Sequence, residues 1–257
     1  MHRAAFRELG LEATYELLRV PADRPDSVES VMRGVASDGG GNVTVPHKHR
    51  AAGVLEVATE LVRRTRACNC FWLDECGRLS GDNTDAGGIQ TVLETRDEFN
   101  PIGSRVLVLG AGGAGAAAVV AALAAGASRV SVRNRTGQRA SDLVSALADP
   151  RVSREHAEPD PGDWDLVIQA TSLGLEEADP LPLSLSGSKP GNALDLVYRP
   201  GGTAWVHHAR ACGWSAEDGL GVLLEQGVLS LGRWLDSPIP PSVRSAMEDA
   251  LVTGAAP

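Results

Sequence analysis

Val106-Leu107-Val108-Leu109-Gly110-Ala111-Gly112-Gly113-Ala114-Gly115-Ala116-Ala117-Ala118 decides the fold class of this 257-residue chain. Four apolar residues without a polar interruption describe a strand buried on both faces, as in a parallel sheet covered by helices. Gly110, Gly112 and Gly115 follow in G-x-G-x-x-G spacing, and an Ala-rich helical pattern runs from Ala114 to Ala125. Gly110 permits the tight turn, Gly112 lets backbone approach a pyrophosphate, and Gly115 lets the helix pack closely on the strand. The start of that helix offers backbone N–H groups and a partial positive charge to the same pyrophosphate.

Working outward, Ser128 to Val132 reads as the next strand, followed by Arg133-Asn134-Arg135-Thr136. NAD-binding chains place an acidic residue here to accept hydrogen bonds from the ribose hydroxyls. Asn134 stands there instead, with Arg133, Arg135 and Arg139 around it. Guanidinium forks suit a phosphate, so this half is expected to bind NADP in preference to NAD. The alternative for the same residues is a basic surface turn beside a buried glycine turn.

Further strands and helices alternate on both sides of this stretch, which gives an α/β class. Before it come a helix over Met1–Leu9 ended by Gly10, a strand over Thr14–Val20 and a helix over Pro25–Ala36. Next are a strand from Gly41 to Pro46, helical segments over Arg50–Arg63, and a strand over Ala67–Leu73. The polar loop Gly81–Gly88 then opens a helix with Thr84 or Asn83 as N-cap. After it come a helix over Gln138–Ala148 and strands over Trp164–Gln169 and Ala193–Val197. Helices over Thr203–Cys212, Gly221–Leu235 and Ser242–Val252 close the chain. Asn100-Pro101-Ile102-Gly103-Ser104 reads as a boundary, so residues 1–100 form a first domain and 101–225 a nucleotide-binding one.

A net charge of −9 argues against a nucleic-acid binder, which needs a basic face. No apolar run is long enough to span a bilayer and no secretory h-region opens the chain, so a cytoplasmic protein is expected. Cys68-x-Cys70 lies within a strand-like run and lacks the paired ligand spacing of a zinc site. Reduced cysteines and no metal are expected.

A nicotinamide cofactor implies hydride transfer, so the first domain should present a substrate and move a proton. Three polar islands at strand ends are candidates: Asn42-x-Thr44-x-x-x-Lys48, Asn69, and Asn83-Thr84-Asp85. A lysine held near an aspartate can give or take the proton of an alcohol or ketone. Taken singly, Lys48 also reads as a solvated helix-start lysine and Asp85 as a charge favoured in a first helical turn.

Asn42-Val43-Thr44-Val45-Pro46-His47-Lys48 resembles the N-V-T-x-P-x-K signature of the shikimate dehydrogenase family, and Gly81–Gly88 resembles its G-x-N-T-D-x-x-G loop. The Gly110–Ala118 stretch, Asn134-Arg135-Thr136, Asp195-x-x-Tyr198-x-Pro200-x-x-Thr203 and Gly219-Leu220-Gly221-x-x-x-x-Gln226 match in the same order. The resemblance implies a substrate domain, a doubly wound NADP domain and a cleft between them, with helices of 226–257 returning to the first domain. It also implies reversible NADP-linked reduction of 3-dehydroshikimate to shikimate, on the chorismate route to aromatic amino acids. By the same likeness Lys48 and Asp85 are the catalytic pair, while Asn42, Thr44, Asn69, Tyr198 and Gln226 bind substrate. Gly110, Gly112, Gly113, Ala114, Gly115, Asn134, Arg135, Thr136, Arg139, Thr171 and Gly219 would hold NADP. The family includes monomers and dimers, so either is expected.

Three departures from the family pattern stand out. Its S-x-S segment, whose hydroxyls hold the substrate carboxylate, precedes a stretch like Met1-His2-Arg3-Ala4-Ala5-Phe6, where this sequence begins. That leaves a misassigned start, or a catalytically impaired NADP-binding protein, as readings. Cys70 stands where the family has threonine, and Val222 where methionine is common. These leave room for a quinate or aminoshikimate dehydrogenase.

Overall fold

The computed structural model describes residues 1–24, 27–97, 99–156 and 158–254. Two compact units result, one from residues 1–88 with 223–257 and one from 89–222.

The first unit opens with α1 (His2–Glu8). Gly10 takes a φ of +67° after it, and Leu11 N–H reaches back to the Phe6 carbonyl at 2.8 Å, so the helix closes on a Schellman-type cap. Then come α2 (Ser27–Ala36), β1 (Gly40–Asn42), α3 (Lys48–Gly53), β2 (Val57–Ala58), α4 (Glu60–Thr65), β3 (Cys70–Leu73), β4 (Leu79–Asp82) and the start of α5 (Thr84–Thr95), whose residues from Ile89 on belong to the second unit. The strands form one sheet in the order β1-β3-β4-β2, with only the β2–β4 pair parallel. Its register puts Asn42 opposite Cys70 and Cys70 opposite Asp82, a row that carries polar side chains from three segments to one end of the sheet. Val28, Met32, Ala51, Val62, Phe71 and Leu79 fill the core beneath.

Thr14–Val20 forms no strand, and Leu17 and Leu18 are 82% and 61% exposed. A strand needs a partner for its N–H and C=O groups, and no described strand runs alongside. The helical segments expected over Arg50–Arg63 are α3 and α4, with β2 between them because the free edge of β4 takes Glu56 N–H and Thr59 N–H onto its carbonyls at 2.9 and 3.1 Å. Thr59 then caps α4 through Val62 N–H. Gly81 and Asp82, read as the start of the polar loop, instead end β4, all four of whose residues are buried. Pro25 and Asp26, the expected start of the second helix, lie outside the described residues.

In the second unit β5 (Arg105–Leu109), α6 (Gly113–Ala124), β6 (Arg129–Arg133), α7 (Gly137–Leu147) and β7 (Val152–Arg154) form the first half. A 3₁₀ turn at Pro161–Asp163, β8 (Leu166–Gln169), β9 (Asn192–Asp195), α8 (Ala204–Ala211) and β10 (Ser215–Glu217) form the second. All pairings are parallel, in the order β10-β9-β8-β5-β6-β7. This is the doubly wound arrangement, with its switch point between β5 and β8. Sequence pattern misses β7 and β10, which are three residues long. β9 stops at Asp195 rather than Val197, because the Asp195 carboxylate accepts Val197 N–H at 3.0 Å and turns the chain.

α9 (Leu220–Leu235) and α10 (Pro241–Val252) follow. Leu224 and Leu231 of α9 pack with Ala5 and Phe6 of α1 and with Val243 and Met247 of α10, a second core within the first unit. No helix among the described residues is long and apolar enough to cross a membrane.

Candidate active site

Lys48 opens α3 and Asp85 lies in the first turn of α5, whose cap is Asn83 through Ala86 N–H at 3.2 Å. Lys48 Nζ meets Asp85 Oδ2 at 2.5 Å, with the two side chains only 17% and 19% exposed. Asn69 Oδ1 accepts Thr84 N–H at 2.6 Å, which fixes its amide so that Nδ2 donates to Asp85 Oδ1 at 2.8 Å. One carboxylate oxygen thus faces an ammonium and the other an amide donor. The Gln226 Oε1 atom lies 3.4 Å from the same Asn69 Nδ2. Residues 42, 48, 69, 85 and 226, spread over the sequence, therefore gather within the first unit.

Asn42 is joined to this array through its amide. Its two amide hydrogens are taken by the Asn69 carbonyl at 3.0 Å and by Ser230 Oγ at 2.8 Å, and its Oδ1 accepts Tyr15 OH at 3.0 Å. Asn42 holds its neighbours. Thr44 is exposed, and its carbonyl accepts His47 N–H at 3.0 Å. Tyr198 belongs to the second unit and is 48% exposed.

Beside this array Asp82 is buried, accepting Thr59 Oγ1 at 2.6 Å and Asn83 N–H at 2.7 Å while pairing with Arg233 at 2.8 Å. Burial pushes the Cys68 thiol up to about 12 and raises that of Cys70, so both remain protonated. Neither is a nucleophile at neutral pH. Among the described residues no group of three or more His, Cys, Asp or Glu is placed to hold a metal.

In the second unit the glycine turn is built by contact. A Cβ on Gly115 would collide with the Gly110 carbonyl, and one on Gly110 would stand 2.6 Å from the Ala170 carbonyl oxygen. A Cβ on Gly112 would meet nothing within 4 Å, so this face is open. No side chain caps α6, which leaves its first-turn N–H groups directed at that space. Asn134, expected beside the ribose, accepts Ala111 N–H at 3.2 Å and donates to the Thr136 carbonyl at 2.9 Å. It braces the turn. Arg133 is drawn away to Glu158, whereas Arg135 and Arg139 are exposed and form no ion pair among the described residues. Backbone donors at an uncapped helix and two unpaired guanidinium groups fit a dinucleotide that bears an extra phosphate.

The loop after β8 is held from below. Gln169 receives Thr171 N–H, donates to the Leu173 carbonyl at 2.7 Å, and reaches Asp195 Oδ1 at 3.2 Å. Thr203 Oγ1 donates to Asp195 Oδ2 at 2.7 Å. Burial pushes the Asp195 carboxyl up to about 6, against the pull of these hydrogen bonds. Gly219 is required by approach, since a Cβ there would overlap the Leu196 carbonyl.

Residues 1–71 match the model of the shikimate dehydrogenase substrate binding domain, and residues 94–173 match that of shikimate / quinate 5-dehydrogenase. A shikimate dehydrogenase (NADP⁺) from Desulfitobacterium hafniense is 34% identical over 98% of this chain and 92% of its own length. The chain belongs to the shikimate dehydrogenase family. A shikimate dehydrogenase (NADP⁺) from Geobacillus kaustophilus is 35% identical over 91% of this chain and 86% of its own. Shikimate 5-dehydrogenase from Thermus thermophilus, solved with NADP(H) and shikimate, is 34% identical with a TM-score of 0.84. That match covers 97% of this chain and 91% of the other.

Sequence reasoning missed Tyr15, Ser230 and Arg233. For the last two a signal existed: they follow Gln226 at i+4 and i+7, on one helical face. Nothing local marks Tyr15, whose hydroxyl reaches Asn42 across 27 positions of chain.

Proposed function

We propose that this shikimate dehydrogenase interconverts 3-dehydroshikimate and shikimate with NADP, and that Lys48 and Asp85 handle the proton of the reacting oxygen. The observation that carries the assignment of roles is the Lys48–Asp85 contact of 2.5 Å, braced by Asn69. When bound, NADP supplies the hydride chemistry, held by the first turn of α6 with Arg135 and Arg139. In the reducing direction the Lys48 ammonium gives a proton to the carbonyl oxygen as it becomes an alcohol. In the oxidising direction the neutral amine takes it back. Asp85 keeps the ammonium oriented, and its oxygen shared with Asn69 is an acceptor for a neighbouring ring hydroxyl. Asn69 and Gln226 supply further polar contacts, with Thr44 at the rim. Residues 1–88 and 223–257 make the substrate unit in this reading, and 89–222 the cofactor unit. A cytoplasmic monomer or homodimer acting on a small molecule completes it.

The test is NADP⁺ reduction followed at the nicotinamide absorbance with shikimate, quinate and aminoshikimate in parallel, and NAD⁺ as control. Turnover with shikimate and NADP⁺ is expected. Turnover on quinate or aminoshikimate alone would move the substrate assignment, and silence on all three would overturn the reading.

A further inference from the structure

The face of α9 that bears Gln226 carries Ser230 one turn later, fully buried in the middle of a helix. A buried hydroxyl at such a position needs partners, because an apolar side chain would pack there without any. Ser230 Oγ has three within this array, and the Cys70 thiol is a further hydrogen-bond partner beside it. The hydroxyl donates its only proton to the Gln226 carbonyl at 2.9 Å, and it stands 2.8 Å from Asn42 Nδ2 and 3.0 Å from Thr84 Oγ1.

The directions of these bonds follow from the donor count. With the Ser230 proton held by its own helix, Ser230 accepts from Asn42 and from Thr84. The Thr84 hydroxyl has one proton, and the Ser230 oxygen at 3.0 Å competes for it with Asn69 Oδ1 at 3.2 Å. Given to Ser230, it leaves Thr84 Oγ1 free to accept Asn69 Nδ2 at 3.0 Å. Asn42 meanwhile places its second amide hydrogen on the Asn69 main-chain carbonyl at 3.0 Å. Ser230 therefore acts on Asn69 by two routes, through Thr84 on its side chain and through Asn42 on its backbone. Asn69 in turn holds Asp85 Oδ1 at 2.8 Å. One turn further along α9, Arg233 Nε and its terminal nitrogen both sit 2.8 Å from Asp82 Oδ2, which registers the helix against the end of β4, two residues before Thr84 opens α5.

We infer that Ser230 is a positioning residue of the reaction, acting through Thr84 and Asn42 to fix Asn69 and with it the Asp85–Lys48 pair. This rests on the reading of Lys48 and Asp85 as the groups that move the proton. Ser230 touches neither of them, so its removal shifts geometry rather than chemistry, and misplacement of this kind costs about 10- to 100-fold in rate.

The experiment is a kinetic cycle on the full chain with shikimate and NADP⁺: parent, Ser230→Ala, Thr84→Val and the double variant, each first shown to melt cooperatively. Ser230→Ala is expected to lower kcat about 10- to 100-fold with the KM for NADP⁺ within about twofold of the parent. Because Thr84 carries one of the two routes that Ser230 uses, and removing Ser230 already breaks it, the double variant should be no more than about threefold slower than the slower single variant. A Ser230→Ala kcat within about twofold of the parent, or losses that multiply in the double variant, would overturn the inference while leaving the function intact. If Ser230→Ala does not fold, Ser230→Cys, similar in size and a weaker acceptor, takes its place with the same criteria. A parent chain that does not oxidise shikimate overturns the functional reading first, and this inference with it.

Discussion

Asp195→Asn isolates the cost of a carboxylate that the second unit buries almost completely. Burial is the main cause that lifts its pKa from 3.8 to about 6, and the nearby Asp218 charge adds to it. Between those values the folded chain holds a proton that the unfolded chain has released. Its contribution is therefore largest below pH 3.8, falls as pH rises through the window, and is flat above about 6. A shift of this size corresponds to on the order of 3 kcal/mol over the whole window, of which about 2 kcal/mol falls between pH 4 and 7.5. Asparagine does not titrate, keeps an oxygen for Val197 N–H and Gln169, and turns its amide toward Thr203 Oγ1, which can accept. Urea unfolding of both proteins at four pH values from 4 to 7.5 gives the difference, in which all other titrations cancel. That difference should move in favour of the variant by about 2 kcal/mol as pH rises. A difference flat with pH would refute the claim that Asp195 is protonated in the folded chain in this range.

His2, 4% exposed with Nδ1 unpartnered, is lowered by burial from 6.5 to about 4. Its sign is opposite, stability being lost as pH falls from 6.5 toward 4, so His2→Leu should gain on the parent by on the order of 3 kcal/mol across that interval in the same assay. Lys48→Ala should lower turnover of shikimate by several orders of magnitude while leaving NADP⁺ binding, measured by calorimetry, nearly unchanged; unaltered turnover would remove Lys48 from the mechanism. Arg135→Ala and Arg139→Ala should each raise the KM for NADP⁺ by about 10-fold or more, since a charge-assisted bond to phosphate is worth about 1.5–3 kcal/mol. Kinetics with NAD⁺ should stay put, and equal losses with both cofactors would show that neither arginine meets the extra phosphate.

What was legible in the sequence had strong local cause. The β5–α6 turn announces itself because close approach between Gly110, Gly115 and Ala170 tolerates only glycine, and glycine in register is visible without a structure. Lys48, Asn69, Asp85 and Gln226 were named through their motifs, and the fold supplies the distances that join them. What stayed hidden depends on partners. β4 is a strand because β3 and β2 pair with it on either side, β2 is one because β4 offers it an edge, and neither has an apolar alternation that declares it. Thr14–Val20 shows the converse, a strand-like pattern with no described neighbour to pair with. Asn42 and Asn134 are polar residues at a predicted site, but their hydrogen bonds run to the protein, and no spacing rule says where a side-chain amide will point.

The first unit is assembled from two stretches separated in the chain by the whole of the second. On a ribosome, Asp85 emerges about 140 residues before Gln226, an interval on the order of ten to thirty seconds at ordinary elongation rates. That interval is the time in which residues 89–222, a continuous unit, emerge, and throughout it the Asn69–Asp85 array still lacks the oxygen atoms of Gln226 and Ser230. Residues 89–222 are thus complete before the last stretch of the first unit has emerged. A nascent chain stalled just before α9 would carry the residues of the glycine turn and leave Asn42 and Thr84 without their buried partner.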